Sequence, residues 1–149
     1  MENMNQRKRQ ITQTPEQGQE RYDTFKKVLD RYGLAMENGF YLEAITLMES
    51  LIADRLECYL LMNIKESDYS FSTLERLIRG LRSMVSTPIT IESVEAWKNQ
   101  RNKLLHEMAK IEDGNFEPFD SKYDQAKQCA EDGLLLFREI DKICRASRP

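Results

Sequence analysis

The segment from Thr90 to Ile111 has the sequence TIESVEAWKNQRNKLLHEMAKI and contains the only histidine of the chain. Its apolar residues recur at steps of three and four, as one face of an α-helix requires. They are Val94, Trp97, Leu104, Met108 and Ile111, with Leu105 at the edge. Thr90 has the side chain of a helix N-cap. The segment therefore predicts one amphipathic helix with its apolar face toward a core.

Three polar residues of this helix are placed unusually. Arg101 falls inside the apolar stripe, where a charge must be paired or open onto a polar cleft because burying it unpaired is too costly. At about 100° per residue, His106 lies roughly 140° around the helix from Arg101, toward the polar face. Asn102 is four residues before His106 and on the same side, within reach of its ring. A lone chain would leave His106 facing water, so a second copy of this helix is the simplest cover.

Amphipathic segments on both sides of this helix predict an all-α protein. The predicted helices begin at a capping box at 14–17, run from about Tyr41 to Met62, begin at a capping box at 72–75, and run from about Ser121 to Cys144. Gly33 should weaken or end the first of them, and Asn38 and Gly39 should form the following turn. No stretch alternates as a strand would. We expect an antiparallel bundle of four to five helices with short connections.

Length and composition indicate one domain. A chain of 149 residues with 40% hydrophobic residues can build a single core, which we place at residues 15–146. Residues 1–14 are polar and without period, and we interpret them as a disordered tail; the basic run 7–9 is better explained as solvated than as an RNA-contacting arm. The formal charge of −3 argues against a protein that coats nucleic acid non-specifically.

The location and the cysteines fit an intracellular protein. No signal peptide and no bilayer-spanning apolar run are apparent, so we expect a cytoplasmic protein without membrane contact. Cys58, Cys129 and Cys144 are odd in number and lack a paired spacing, which fits reduced thiols. With one histidine and no Cys-x-x-Cys motif, a zinc site is not expected, and we predict no metal and no cofactor.

Charged residues on other predicted helices allow two interpretations each. Glu49 lies at the edge of the second helix's apolar stripe, and we expect it to pair with Arg101 or with Arg55, which lies within that stripe. An ordinary interhelical salt bridge explains Glu49 more simply than a catalytic role. A basic stripe recurs at steps of three on the third helix, where it could line a phosphate path but is better explained as a solvated face. It consists of Arg76, Arg79 and Arg82.

An arginine is followed by a polar residue and, a few positions later, by a histidine, and the three lie late in a small helical domain. This motif resembles that of the HEPN superfamily. The matching residues are Arg101, Asn102 and His106, and the helix order matches from about Tyr41 to Cys144. The resemblance implies a helical bundle that forms a homodimer, in which two motifs meet in one cleft. It further implies a metal-independent endoribonuclease acting as a toxin or in phage defence, with an antitoxin or another regulatory protein as a further partner.

The resemblance also implies roles for single residues. RNA cleavage by internal attack needs a base for the 2′-OH, an acid for the 5′-oxygen and positive charge on the transition state. Two copies of His106 could supply acid and base, Arg101 could bind the phosphate, and Asn102 could orient the ring or bind a phosphate oxygen. Glu49 would support Arg101. The products would be a 2′,3′-cyclic phosphate and a 5′-hydroxyl.

Two further positions qualify this picture. Lys103 and Lys110 lie on the polar face and could hold an RNA backbone, although helices often carry such lysines for solubility. HEPN toxins controlled by a nucleotidyltransferase often have a modified tyrosine two residues after the histidine. That position is Met108 here, so control by AMP addition at that position is not expected.

A non-catalytic protein is the alternative hypothesis. In this interpretation the chain is a helical dimer that acts as a nucleotide-binding or protein-interaction module. Arg101 then either forms a structural ion pair or holds a ligand without turnover, and His106 is exposed and idle.

Overall fold

The computed structural model describes residues 14–64, 69–110 and 119–148. They form α1 (Pro15–Glu37), α2 (Tyr41–Asn63), α3 (Leu74–Arg82), α4 (Ile91–Glu107) and α5 (Phe119–Ala146), and these residues contain no strand. The predicted all-α fold is therefore confirmed. The predicted tail, apart from Thr14, lies outside the described residues. The predicted end of the motif helix near Ile111 is wrong: α4 ends at Glu107, and residues 108–110 are no longer helical.

Local sequence signals set the first helix boundaries. Gln17 donates its backbone N–H to Thr14 Oγ1 at 3.2 Å, and Thr14 donates its own N–H to Gln17 Oε1 at 2.9 Å, so the predicted capping box is confirmed. Gly33 does not end α1, which continues to Glu37. A glycine costs a helix interior about 1 kcal/mol, and burial of the flanking Tyr32 and Ala35 can offset that cost. The expected turn follows, with Gly39 at φ 75°.

The capping box predicted for α3 is wrong by one residue. Thr73, not Ser72, is the N-cap, and its Oγ1 accepts the backbone N–H of Arg76 at 3.3 Å. The Ser72 hydroxyl instead accepts a hydrogen bond from the Arg76 side chain, also at 3.3 Å. With two adjacent hydroxyl residues, the pattern alone could not decide which one caps the helix.

Among the described helices, α2 and α5 pack against each other most extensively, and they run parallel. The rings of Tyr41 and Tyr123 pack 4.8 Å apart near the starts of these helices, and Cys144 Sγ donates to the Arg55 carbonyl at 3.2 Å toward their ends. α1 runs antiparallel to α2, as two ion pairs along their length show. They are Arg21–Asp54 and Arg31–Glu43. α4 runs antiparallel to α5, and α3 packs against α2 and α4.

The core is centred on α2, and the predicted apolar stripes face it. Fully buried side chains of α2 and small, fully buried residues of α5 belong to this one core. These residues are Ile45, Met48, Ile52, Leu56 and Leu60 of α2, and Ala126, Cys129 and Ala130 of α5. Within the described ranges, no helix has the length and apolar character needed to cross a membrane.

Two charged side chains are buried among the described residues, Arg55 and Glu57. Arg55 is 5% exposed, and its guanidinium pairs with Asp54 at 2.7 Å and with Asp141 of α5 at 3.6 Å. It also lies 4.5 Å from the centre of the Phe25 ring of α1. Arg55 thus ties three helices together, and its carboxylate partners are Asp54 and Asp141 rather than Glu49.

Candidate functional site

Trp97 fixes α4 against α5 one turn before the motif. Its ring is 4% exposed, and its Nε1 donates to the Cys129 carbonyl at 2.9 Å. The ring lies next to Gly133, where an added Cβ would come within 2.9 Å of Trp97 Cζ2. The absence of a side chain at Gly133 therefore lets α4 approach α5 closely and sets the position from which Arg101 extends.

The Arg101 guanidinium is held between two helices. Its Nη2 forms an ion pair with Glu49 Oε2 of α2, and its Nη1 donates to Asn102 Oδ1 at 2.6 Å. The Arg101 and Glu49 side chains are each 23% exposed. The predicted pairing of Glu49 with Arg101 is confirmed. Arg101 Nε is buried and finds no acceptor within the described ranges.

Asn102 and His106 do not form a pair. The Asn102 side-chain oxygen accepts from Arg101, and within the described part of the chain no hydrogen bond joins Asn102 to His106. His106 is exposed, and among the same residues its imidazole has no hydrogen bond or ion pair. The site of one chain is thus a fixed, partly buried cation and, on another side of the same helix, a solvent-facing imidazole. Chemically, such groups can bind an anion and transfer a proton.

Three lysines lie on or near the second half of α4, two of which the sequence indicated as RNA contacts. Lys103 is exposed on the surface of α4, and Lys110 is exposed just beyond its end. Lys122 of α5, which the sequence did not indicate, donates its Nζ to the carbonyls of Glu107 at 3.0 Å and of Lys110 at 2.5 Å. A lysine often satisfies the free carbonyls at a helix end. The local sequence around the end of α4 gives no sign of this contact, because Lys122 belongs to the next helix.

The basic stripe of α3 is largely neutralised. Arg79 pairs with Glu75 at 3.0 Å, and Arg82 pairs with Glu95 of α4. The Arg76 guanidinium lies 5.5 Å from the centre of the Tyr69 ring. These partners favour the interpretation of the stripe as a solvated face rather than a phosphate path.

No group of three or more histidine, cysteine or carboxylate side chains is arranged to hold a metal ion within the described ranges. The three cysteines are free thiols: Cys58 is partly buried, whereas Cys129 and Cys144 are buried. Burial raises the pKa of both Cys129 and Cys144 to about 12, so neither is a ready nucleophile.

Comparison with known protein families, with curated proteins and with solved structures finds no match to this chain. Its function must therefore be inferred from the motif and its geometry.

Proposed function

We propose that this protein is a metal-independent endoribonuclease of HEPN type that acts as a homodimer. In this proposal two α4 helices meet in one cleft, and RNA bound there is cleaved to 2′,3′-cyclic phosphate and 5′-hydroxyl ends. We further propose that it acts in the cytoplasm as a toxin or phage-defence effector under the control of an antitoxin or another regulatory protein.

The observation that carries the proposal is the state of Arg101. A guanidinium that only filled a structural role would be expected to have all its buried donors paired. Arg101 is instead anchored at two nitrogens by Glu49 and Asn102, while its buried Nε has no acceptor among the described residues. His106 lies exposed one turn beyond Asn102 on the same helix. Phosphodiester cleavage requires positive charge and proton-transfer groups at the same phosphate. Within one chain Arg101 and His106 lie on different sides of α4, so the proposal brings them together from two chains.

The proposed reaction uses these groups in a fixed order. One imidazole accepts the proton of the ribose 2′-hydroxyl, and the 2′-oxygen attacks the adjacent phosphorus. The bond from phosphorus to the 5′-oxygen then breaks, and a protonated imidazole donates its proton to that oxygen. Arg101 stabilises the negative charge that builds up on the phosphate oxygens, because its guanidinium is a permanent positive charge with planar donors.

The dimer is part of this mechanism. A single imidazole cannot be base and acid in the same step, and the chain contains only one histidine. A twofold axis that brings two α4 helices together supplies both. Glu49 acts in this proposal as a positioning residue, because it touches Arg101 and not the RNA. Lys103 and Lys110 lie near the cleft and hold the RNA backbone.

The proposal is tested with purified protein and RNA in the presence of EDTA. We expect the wild type to produce 2′,3′-cyclic phosphate ends and His106→Ala to produce none. Glu92→Ala is the control, since Glu92 is exposed in the first turn of the same helix, far from the motif. Equal cleavage by wild type and His106→Ala would remove the assignment. RNA-dependent stabilisation against melting that is lost in Arg101→Ala, without any cleavage, would indicate the binding module instead.

A further inference from the structure

Three aromatic rings form a ladder where α2 and α5 begin. The Tyr41 and Tyr123 ring centres are 4.8 Å apart, and the Tyr123 and Phe119 ring centres are 6.0 Å apart, with the latter pair near parallel at 24°. We call these three residues the aromatic ladder. Its outermost ring, Phe119, is 62% exposed. The stack therefore ends in an aromatic ring that is open to solvent.

The middle of the ladder is held in place. The Tyr123 hydroxyl donates to the Gly39 carbonyl in the turn between α1 and α2. Gly39 has a φ of 75°, and a Cβ at this position would collide with that hydroxyl. A glycine is thus needed here both for the backbone conformation and for the close approach of the ring. Because Tyr123 cannot shift freely, Phe119 stacks on a rigid support.

The ladder lies at the end of the bundle where the motif helix finishes. Lys122 comes directly before Tyr123 and donates two of its three N–H groups to carbonyls at the end of α4. One of these carbonyls belongs to Glu107, the residue after His106. The third N–H of Lys122 has no acceptor among the residues that the structure describes. A positive charge with a spare donor and an exposed aromatic ring therefore lie at the same end of the bundle as His106.

We propose that the aromatic ladder stacks one unpaired base of the bound RNA on the Phe119 ring. This inference rests on the proposed ribonuclease function and specifies what that site binds. A base in a duplex is stacked on its neighbours and cannot lie on Phe119, whereas an unpaired base can. Lys122 contacts the phosphate beside that base through its remaining donor. Stacking tolerates any base, because every base has an aromatic face.

The test measures RNA binding apart from cleavage. His106→Ala serves as the background, and a short single-stranded RNA that contains 2-aminopurine reports stacking by fluorescence quenching. We expect Phe119→Ala to weaken binding about 10- to 100-fold and to abolish the quenching. Phe119→Tyr should bind and quench as the background protein does, and Phe119→Leu should behave like Phe119→Ala, because it keeps apolar bulk but has no ring. Fully paired RNA should bind equally to the background protein and to the three Phe119 variants.

The matched control is Phe71→Ala, which removes a phenylalanine of similar exposure, 61%, whose N–H is bound by Glu57 toward the far end of α2. It should leave binding unchanged. Unaltered binding by Phe119→Ala, or full binding by Phe119→Leu, would overturn the stacking proposal. If either result were found while cleavage still depended on His106, the stacking proposal would be wrong and the proposed ribonuclease function would be retained. Loss of binding in Phe119→Ala, with cleavage that does not depend on His106, would instead support the ladder and remove the proposed mechanism.

Discussion

The contact between Gly133 and Trp97 makes a quantitative prediction about what positions the motif helix. Gly133→Ala adds one methyl group to α5 at a point where Trp97 atoms would lie 2.9 to 3.1 Å from the new Cβ. Trp97 cannot easily move away, because its ring is buried and its Nε1 is bonded to the Cys129 carbonyl. To relieve the clash, α4 and α5 must separate by a few tenths of an ångström.

Two effects oppose each other in this variant. Alanine is better than glycine in a helix interior by about 1 kcal/mol, and overpacking a tight contact costs about 1–3 kcal/mol. We therefore expect Gly133→Ala to change the free energy of unfolding by between about zero and a loss of 2 kcal/mol. Gly33→Ala isolates the first effect, because Gly33 is also inside a helix and a Cβ there would meet nothing within 4 Å.

The two alanine variants should therefore differ by about 1–3 kcal/mol, with Gly33→Ala the more stable. Urea titration followed by circular dichroism gives this difference. In thermal melting it corresponds to a gap on the order of 2–12 °C. Fluorescence of Trp97, the only tryptophan in the chain, should change in Gly133→Ala and not in Gly33→Ala. Equal stability of the two variants would refute the view that Gly133 sets the distance between α4 and α5.

Three further predictions concern the side chains of the site and the thiols. Glu49→Gln removes the charge that faces Arg101 where both side chains are 23% exposed, so urea titration should show a loss of about 1–2 kcal/mol; an unchanged midpoint would contradict the pairing. Arg101→Lys keeps the charge but loses the planar donors, and should lower RNA cleavage by about two orders of magnitude with an unchanged circular dichroism spectrum. At pH 8 a thiol of pKa about 12 is thiolate in only about one molecule in ten thousand. Iodoacetamide should therefore leave Cys129 and Cys144 unmodified in the native protein, and mass spectrometry should find alkylation of both only after denaturation.

Apolar periodicity predicted the helices and the faces that they bury. Val94, Trp97 and Leu104 are buried as their spacing required, because a stripe at steps of three and four can be satisfied only by a helix against a core. The sequence also predicted that Glu49 would pair with Arg101 or with Arg55, and the structure shows the pair with Arg101. Each is a charge at a core-facing position, and such charges must find each other or remain unpaired at high cost.

What the sequence could not predict depends on contacts between distant segments. Gly33 appeared to end α1, but neighbouring core contacts outweigh one glycine. Arg55 was recognisably a charge at a buried position, yet its partner Asp141 lies on α5, 86 positions along the chain, and no local pattern connects them. The same holds for Lys122 at the end of α4. The stacking of Phe119 on Tyr123 was not predicted, because α5 was expected to begin at about Ser121 and Phe119 was therefore not placed on that helix.

The helix geometry gives a physical reason for a second chain in the proposed mechanism. Arg101 is drawn toward α2 by Glu49, whereas His106 projects from α4 about 140° away. To bring its guanidinium to the imidazole of its own chain, Arg101 would have to break the ion pair and leave Glu49 partly buried without a partner, which is costly. A phosphate that binds Arg101 from the open side is therefore approached more readily by groups from outside the chain. If the protein cleaves RNA, its imidazole and guanidinium are best combined across a dimer, and a monomeric protein would be expected to lack the activity.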